Sequence, residues 1–351
     1  MDMRKQEAWV ILAALAALVA IQSCASTAPI KDGSGRPVPG SIASLERVEL
    51  NGRKEWITIR GIDASAPVLL FLAGGPGGSD LSAARRSLGG LEEHFVVVGW
   101  DQPGAGKSYG AIAHEDLSLE VYVEDAVALV DTLRTRFGKE KLYLLGESWG
   151  SFLGVLVAQR RPDAIAAFFG TGQMVAFREN DVACYNLMLD WARARGDAKK
   201  AAKLELQGPP PYYGRDVAGR MSNFLLDTWD YMRDELGVVQ HGDTLGDIMS
   251  PEYGLADRVH YVTGLLETLD AFYPKLWEED LRKSVPALEV PAYFLVGSKD
   301  VNASLPLFRD YYAMLEAPAK QVVWFERSGH NPWSSESERF VRELVRLSGV
   351  E

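Results

Sequence analysis

The stretch Lys141-Leu142-Tyr143-Leu144-Leu145-Gly146-Glu147-Ser148-Trp149-Gly150, continued by Ser151-Phe152-Leu153-Gly154-Val155-Leu156-Val157-Ala158, decides the fold. Its first five residues form a short apolar run that reads as a buried strand, and the residues from Ser151 onward read as a helix. Between them stands Gly-x-Ser-x-Gly. A strand, a tight turn and a helix around that pentapeptide make a nucleophile elbow, in which the serine side chain is presented at the edge of a sheet. The glycines are required because the turn is sharp and the helix packs close to its strand. In a chain with 33 glycines the pentapeptide alone says little; its flanks carry the reading.

Working outward, a serine hydroxyl needs an imidazole to take its proton and a carboxylate to orient that imidazole. The chain has five histidines, and His330 sits in Arg327-Ser328-Gly329-His330-Asn331, directly after the strand-like run Gln321 to Phe325. Asp300 closes Gly297-Ser298-Lys299-Asp300, directly after the run Ala292 to Val296. Both lie in loops at the C-terminal ends of strands, where a parallel α/β sheet gathers its functional groups. Ser148, Asp300 and His330 are therefore the candidate catalytic residues. Charge on an attacked carbonyl oxygen needs N–H donors. Trp149, the residue after the serine, offers one. The strand Val68 to Leu72 runs into Ala73-Gly74-Gly75-Pro76-Gly77-Gly78, and Gly75 is the expected second donor, with Gly74 the alternative.

Three blocks now resemble a known family: Gly74-Gly75-Pro76-Gly77, Asp101-Gln102-Pro103-Gly104-Ala105-Gly106-Lys107-Ser108, and Gly146-Glu147-Ser148-Trp149-Gly150-Ser151. They look like the signature blocks of the proline iminopeptidases, α/β-hydrolase serine aminopeptidases that remove N-terminal residues. The resemblance covers roughly residues 42 to 348. It implies a serine nucleophile at Ser148, an acid at Asp300 and a base at His330. Ala73, Pro103 and Glu147 stand where that family usually has histidine, arginine and glycine. The order serine, aspartate, histidine along the chain is also that of α/β-hydrolases.

The expected fold class is α/β: an α/β-hydrolase core with a mostly parallel central sheet, an N-terminal hairpin around Asn51-Gly52, and an inserted helical cap. The core is expected over 42–172 and 287–351 and the cap, or lid, over 173–286. Within the lid, Val182, Tyr185, Met188 and Leu189 share one helical face and Phe224, Leu225, Trp229 and Met232 another. By resemblance, cap carboxylates of this family hold the substrate's free amine, and Glu179 is the expected residue here. Gly74 is a further expected substrate contact.

Arg4 and Lys5 precede the apolar run Trp9 to Ile21, which ends at Gln22-Ser23-Cys24. The run is too short for an ordinary membrane span and fits a signal-peptide core. Ile21-Gln22-Ser23-Cys24 resembles a bacterial lipobox. Residues 1–24 thus read as a signal peptide ending at the lipidated Cys24, and 25–41 as a linker, placing the protein in the cell envelope. Cleavage after Ala25 and plain secretion is the alternative. Cys184 then remains alone, so no intramolecular disulfide forms, and it reads as a buried lid residue. A net charge of −11 argues against nucleic-acid partners. No metal-ligand spacing and no dinucleotide fingerprint is present, so no cofactor is expected.

Taken together these residues predict a serine hydrolase acting on a small peptide or ester. An aminopeptidase is the first reading, a carboxylesterase the second, and a ligand-binding protein on the same scaffold the third. Dehalogenases and epoxide hydrolases of this fold would carry aspartate at position 148.

Overall fold

The structure, a computed structural model, describes residues 25–239 and 243–350. Cys24, the signal segment and His241 lie outside the described residues. Eight strands form one sheet in the order β1-β2-β4-β3-β5-β6-β7-β8. These are β1 (Ile42–Leu50), β2 (Arg53–Gly61), β3 (Val68–Leu72), β4 (Val96–Asp101), β5 (Leu142–Glu147), β6 (Ile165–Thr171), β7 (Ala292–Gly297) and β8 (Lys320–Phe325). β2 is antiparallel to both β1 and β4, and the pairs from β4 through β8 are parallel. The hairpin turns at Asn51-Gly52, both with positive φ, as a two-residue connection between twisted strands requires.

Alternation along the strands sends apolar side chains to both faces. Val68, Leu70 and Leu72 pack on one side with helices α1 (Leu119–Phe137) and α2 (Trp149–Arg160). Leu69 and Phe71 pack on the other with Phe340 and Leu344 of the C-terminal helix, Ser337–Ser348. A sheet buried on both faces needs continuous apolar strands, and Val68-Leu69-Leu70-Phe71-Leu72 is one. α1 starts where the Ser118 hydroxyl accepts from the Val121 N–H, and ends at Gly138 in the left-handed region.

Between β6 and β7 the chain leaves the sheet and forms a helical layer. Its main helices are α3 (Phe177–Ala194), α4 (Ala198–Gln207), α5 (Val217–Asp234) and α6 (Leu255–Ala271). The layer is fastened where it departs and returns: Leu281 N–H donates to Val175 at 2.9 Å and Phe177 N–H to Glu279 at 3.3 Å. Of the faces read from periodicity, Tyr185, Met188, Leu189, Phe224 and Met232 are buried. Cys184 is buried as expected, its thiol donating to the Val301 carbonyl at 3.2 Å. No helix among the described residues is long and apolar enough to cross a membrane.

Candidate active site

β5 runs into α2 through Ser148, whose φ of 54° and ψ of −120° lie where a side chain is strained. The turn is held from both sides. Ser148 N–H donates to Thr171 at 3.0 Å, and Ser151 donates to the Ser148 carbonyl through its N–H at 2.9 Å and its hydroxyl at 2.6 Å. A Cβ on Gly150 would overlap the Leu72 carbonyl, so the helix can approach β3 only with glycine there.

β7 delivers Asp300 and β8 delivers His330, both buried. One Asp300 carboxylate oxygen accepts from the Asn302 and Ala303 N–H groups at 2.8 and 3.0 Å. The other lies 2.9 Å from His330 Nδ1. That contact holds the ring by Nδ1, and His330 and Ser148 line one cavity. The cavity, of about 420 Å³, is lined by Ser148 and His330, by Gly74, Gly75 and Trp149, and by lid residues of α3, α5 and α6. Trp229 of α5 meets the His330 ring edge-on, with centroids 5.6 Å apart. Among the described residues the backbone N–H groups of Gly75 and Trp149 have no hydrogen-bond acceptor. The loops carrying them are tied together by Gln102. Its amide donates to the Ala73 carbonyl at 3.2 Å, and its oxygen accepts from the Trp149 indole at 2.9 Å. A serine, a histidine held by a carboxylate and two N–H groups without acceptors thus share one cavity, the kinds of group from which acyl transfer can be built.

Glu147 is the feature that the motif alone does not explain. Its buried carboxylate lies 3.6 Å from His330 Nε2, the nitrogen opposite the one that Asp300 holds. With its amide nitrogen facing acceptors, Asn331 donates to Glu147 Oε1 at 3.1 Å. Any side chain at Gly74 would overlap this carboxylate. Burial raises the Glu147 pKa, against the pull of His330 and the Gly74 amide. For His330 burial acts downward, but the Asp300 and Glu147 charges prevail and the ring is raised above the ordinary histidine value.

Four more carboxylates line the cavity, and two of them are shifted upward. Burial, aided by Asp247 and Glu147, pushes Asp80 well above the usual range. Burial pushes Asp181 of α3 up to about 7, although it accepts hydrogen bonds from Asn180 at 3.0 Å and Tyr273 at 2.8 Å. Among the described residues none of Asp80, Glu147 and Asp181 is ion-paired with a lysine or arginine. Asp243 and Asp247, also on the wall, are both paired with Arg86. Among the described residues no lysine or arginine lines the cavity.

Glu179 is not brought here. It is exposed, and its carboxylate is 2.6 Å from Arg282. Two residues along a helix turn the side chain by roughly 200°, so α3 carries Glu179 outward and Asp181 inward. A helical phase set from Phe177 at the first turn would have distinguished the two. Among the described residues no group of three or more His, Cys, Asp or Glu is arranged to hold a metal ion.

The alpha/beta hydrolase fold family matches residues 67–331. A probable aminopeptidase of Bacillus subtilis, YbaC, is 31% identical over 320 residues, which are 88% of this chain and 98% of that protein. A probable proline iminopeptidase of Leptolyngbya boryana is 33% identical over 95 residues, 27% of this chain and 28% of that protein. The crystal structure of a Mycobacterium smegmatis proline iminopeptidase superposes with a TM-score of 0.62 at 18% identity, covering 87% of this chain and 98% of that one. At that identity the superposition shows the fold alone. The fold, its elbow and these relatives together place the chain: it belongs to the alpha/beta hydrolase fold family, as a hydrolase-class enzyme with proline iminopeptidases among its relatives.

Proposed function

We propose that the protein is a serine aminopeptidase that removes the N-terminal residue of small peptides. The observation that carries this is the set Asp80, Glu147 and Asp181, three carboxylates without a lysine or arginine partner, on the cavity that holds Ser148 and His330. An ammonium group leaving water needs such partners, because an unpaired buried charge is costly. A free α-amine is the cation that an exopeptidase substrate brings next to its scissile carbonyl.

In this reading His330 Nε2 takes the Ser148 hydroxyl proton as Oγ attacks the carbonyl carbon. Gly75 and Trp149 N–H groups hold the oxyanion. The imidazolium returns the proton to the leaving amine, giving an aminoacyl-Ser148 ester. Water, deprotonated by the same nitrogen, then releases the amino acid and restores Ser148. Asp300 holds the ring from behind, and Glu147 stabilises the imidazolium while facing the substrate amine. Incubation with an aminoacyl anilide tests this: rapid aniline release by the wild type, and none by Ser148→Ala, is expected. Release only from simple acyl esters would favour the carboxylesterase.

The same proposal places lipid on Cys24, with the mature chain held at a bacterial envelope membrane. Intact mass of the mature chain should show a lipidated N-terminal cysteine. An unmodified N-terminus at Ser26 would mean plain secretion.

A further inference from the structure

α6 has two faces. Tyr261, Leu265 and Leu269 reach the cavity, and Gly264 and Thr268 are buried against the core. The opposite face carries Leu255, Val259, Val262 and Leu266, spaced i, i+4, i+7, i+11 and so confined to roughly 60° of arc. All four are exposed, by 42–59%. The short helix Thr244–Ile248 and Met249 after it lie just before α6 in the chain. Leu245 and Met249 are exposed as well, and Arg258 of α6 donates to the Met249 carbonyl at 3.3 Å. A contiguous band of large apolar side chains at a surface marks a docking site for protein or membrane.

The chain's own beginning says which. Ser26 N–H donates to the Pro251 carbonyl at 3.0 Å, and the Thr27 hydroxyl donates to Glu252 at 2.8 Å. Glu252 is itself clamped by Arg85 at 2.9 Å. Pro251 and Glu252 lie between Met249 and Leu255 in the chain, so the N-terminal segment is pinned to the connection that joins the two sets of exposed apolar residues. Cys24 is two residues upstream, within about 7 Å of chain. A lipid carried there would enter the bilayer close to these exposed residues.

We propose that Leu245, Met249, Leu255, Val259, Val262 and Leu266 form a bilayer-docking surface, on which the lid lies flat against the membrane that holds the N-terminus. An amphipathic helix in the plane of the interface buries its apolar face at the headgroup boundary. The helix Thr244–Ile248 places Thr244 and Asp247 on the cavity wall and leaves Leu245 exposed, so lipid contact bears directly on the lid. The proposal rests on the lipidation reading of Cys24 and not on the aminopeptidase reading.

The test uses the full chain, processed in a bacterial host and reconstituted in phosphatidylethanolamine–phosphatidylglycerol vesicles. An environment-sensitive fluorophore is attached at Val259→Cys or, as control, at Glu343→Cys on the C-terminal helix. Hydrolysis of a soluble substrate reports that each variant is folded. Expected is a blue-shifted emission at 259 that acyl-brominated lipid quenches at least about threefold, with no quenching at 343. Unquenched emission at 259 in vesicle-bound protein would overturn the proposal. Shielding of 259 without lipid would overturn it too, in favour of a second copy if the protein sediments as a dimer, and of packing on the protein itself if it sediments as a monomer.

Discussion

The two walls of the cavity are built by different means. On the sheet side, Ser148, Asp300 and His330 sit in loops that follow strands: Ser148 N–H donates to the Thr171 carbonyl, the Asn302 and Ala303 N–H groups donate to the Asp300 carboxylate, and Asp300 in turn holds His330. On the lid side, Asp181, Trp229 and Leu265 sit on helix faces, and only the rotation of each helix decides what points inward. A loop at a strand end has little freedom, so its side chain is placed by the local chain. A helix face is placed by packing with the rest of the lid. In the proposed function the sheet wall supplies the chemistry and the lid wall the selection. Glu147 would belong to both, since it stands on β5 yet lies 3.6 Å from His330 Nε2, on the side of the ring away from Asp300.

This division can be broken most forcefully at Ser148. Ser148→Ala, His330→Ala and Asp300→Ala should each lower kcat by roughly 10⁴-fold or more, and the double variants should cost little beyond the worst single one, because the three act as a unit. Steady-state kinetics on an aminoacyl anilide measures this. Additive losses would mean that the residues do not form one relay.

Glu147→Gln tests the residue that joins the walls. Loss of a charge-assisted contact is worth roughly 10–100-fold in KM for a free-amine substrate. The same change should move the acid limb of kcat. His330 works as a base only when neutral, so its raised pKa makes the rate fall, as pH drops, at a value above that of an ordinary histidine. Removing the Glu147 charge removes part of that rise, so the limb should shift to lower pH. A KM effect with an unmoved limb would leave Glu147 as an amine ligand without influence on the base.

Asp181→Asn and Glu179→Gln then set two positions of one helix against each other. Asp181→Asn should raise KM for the free-amine substrate by about tenfold with kcat little changed. Below about pH 7 wild type and Asp181→Asn should converge, because protonation leaves Asp181 neutral and unable to pair with an ammonium. Glu179→Gln, on the outer face beside Arg282, should stay within about twofold of wild type in both constants. An equal effect from the two would mean that α3 presents a different face to substrate.

How much of this was legible in the sequence follows the same division. The elbow, the Asp300 and His330 loops, the hairpin at Asn51-Gly52 and the strands that alternate with helices were readable, because each is a local signal of turn residues beside apolar runs. The inward turn of Glu147 was not, since nothing at the residue before a nucleophile says whether its side chain meets Gly74 and His330 or solvent. The inward placing of Asp181 was not legible, because Glu179 is singled out by its position in the sequence where helical phase is needed. The bracing of the Ala73 and Trp149 loops by Gln102 was hidden for another reason: it joins residues 29 and 47 positions apart in the chain.

The most direct measurement is kcat/KM of the wild type on a free-amine aminoacyl anilide and on its N-acetylated twin, repeated with Glu147→Gln. A preference for the free amine of roughly 100-fold or more, cut at least tenfold by the substitution, is expected if the unpaired carboxylates select an ammonium group. Equal turnover of the two substrates by the wild type would contradict it.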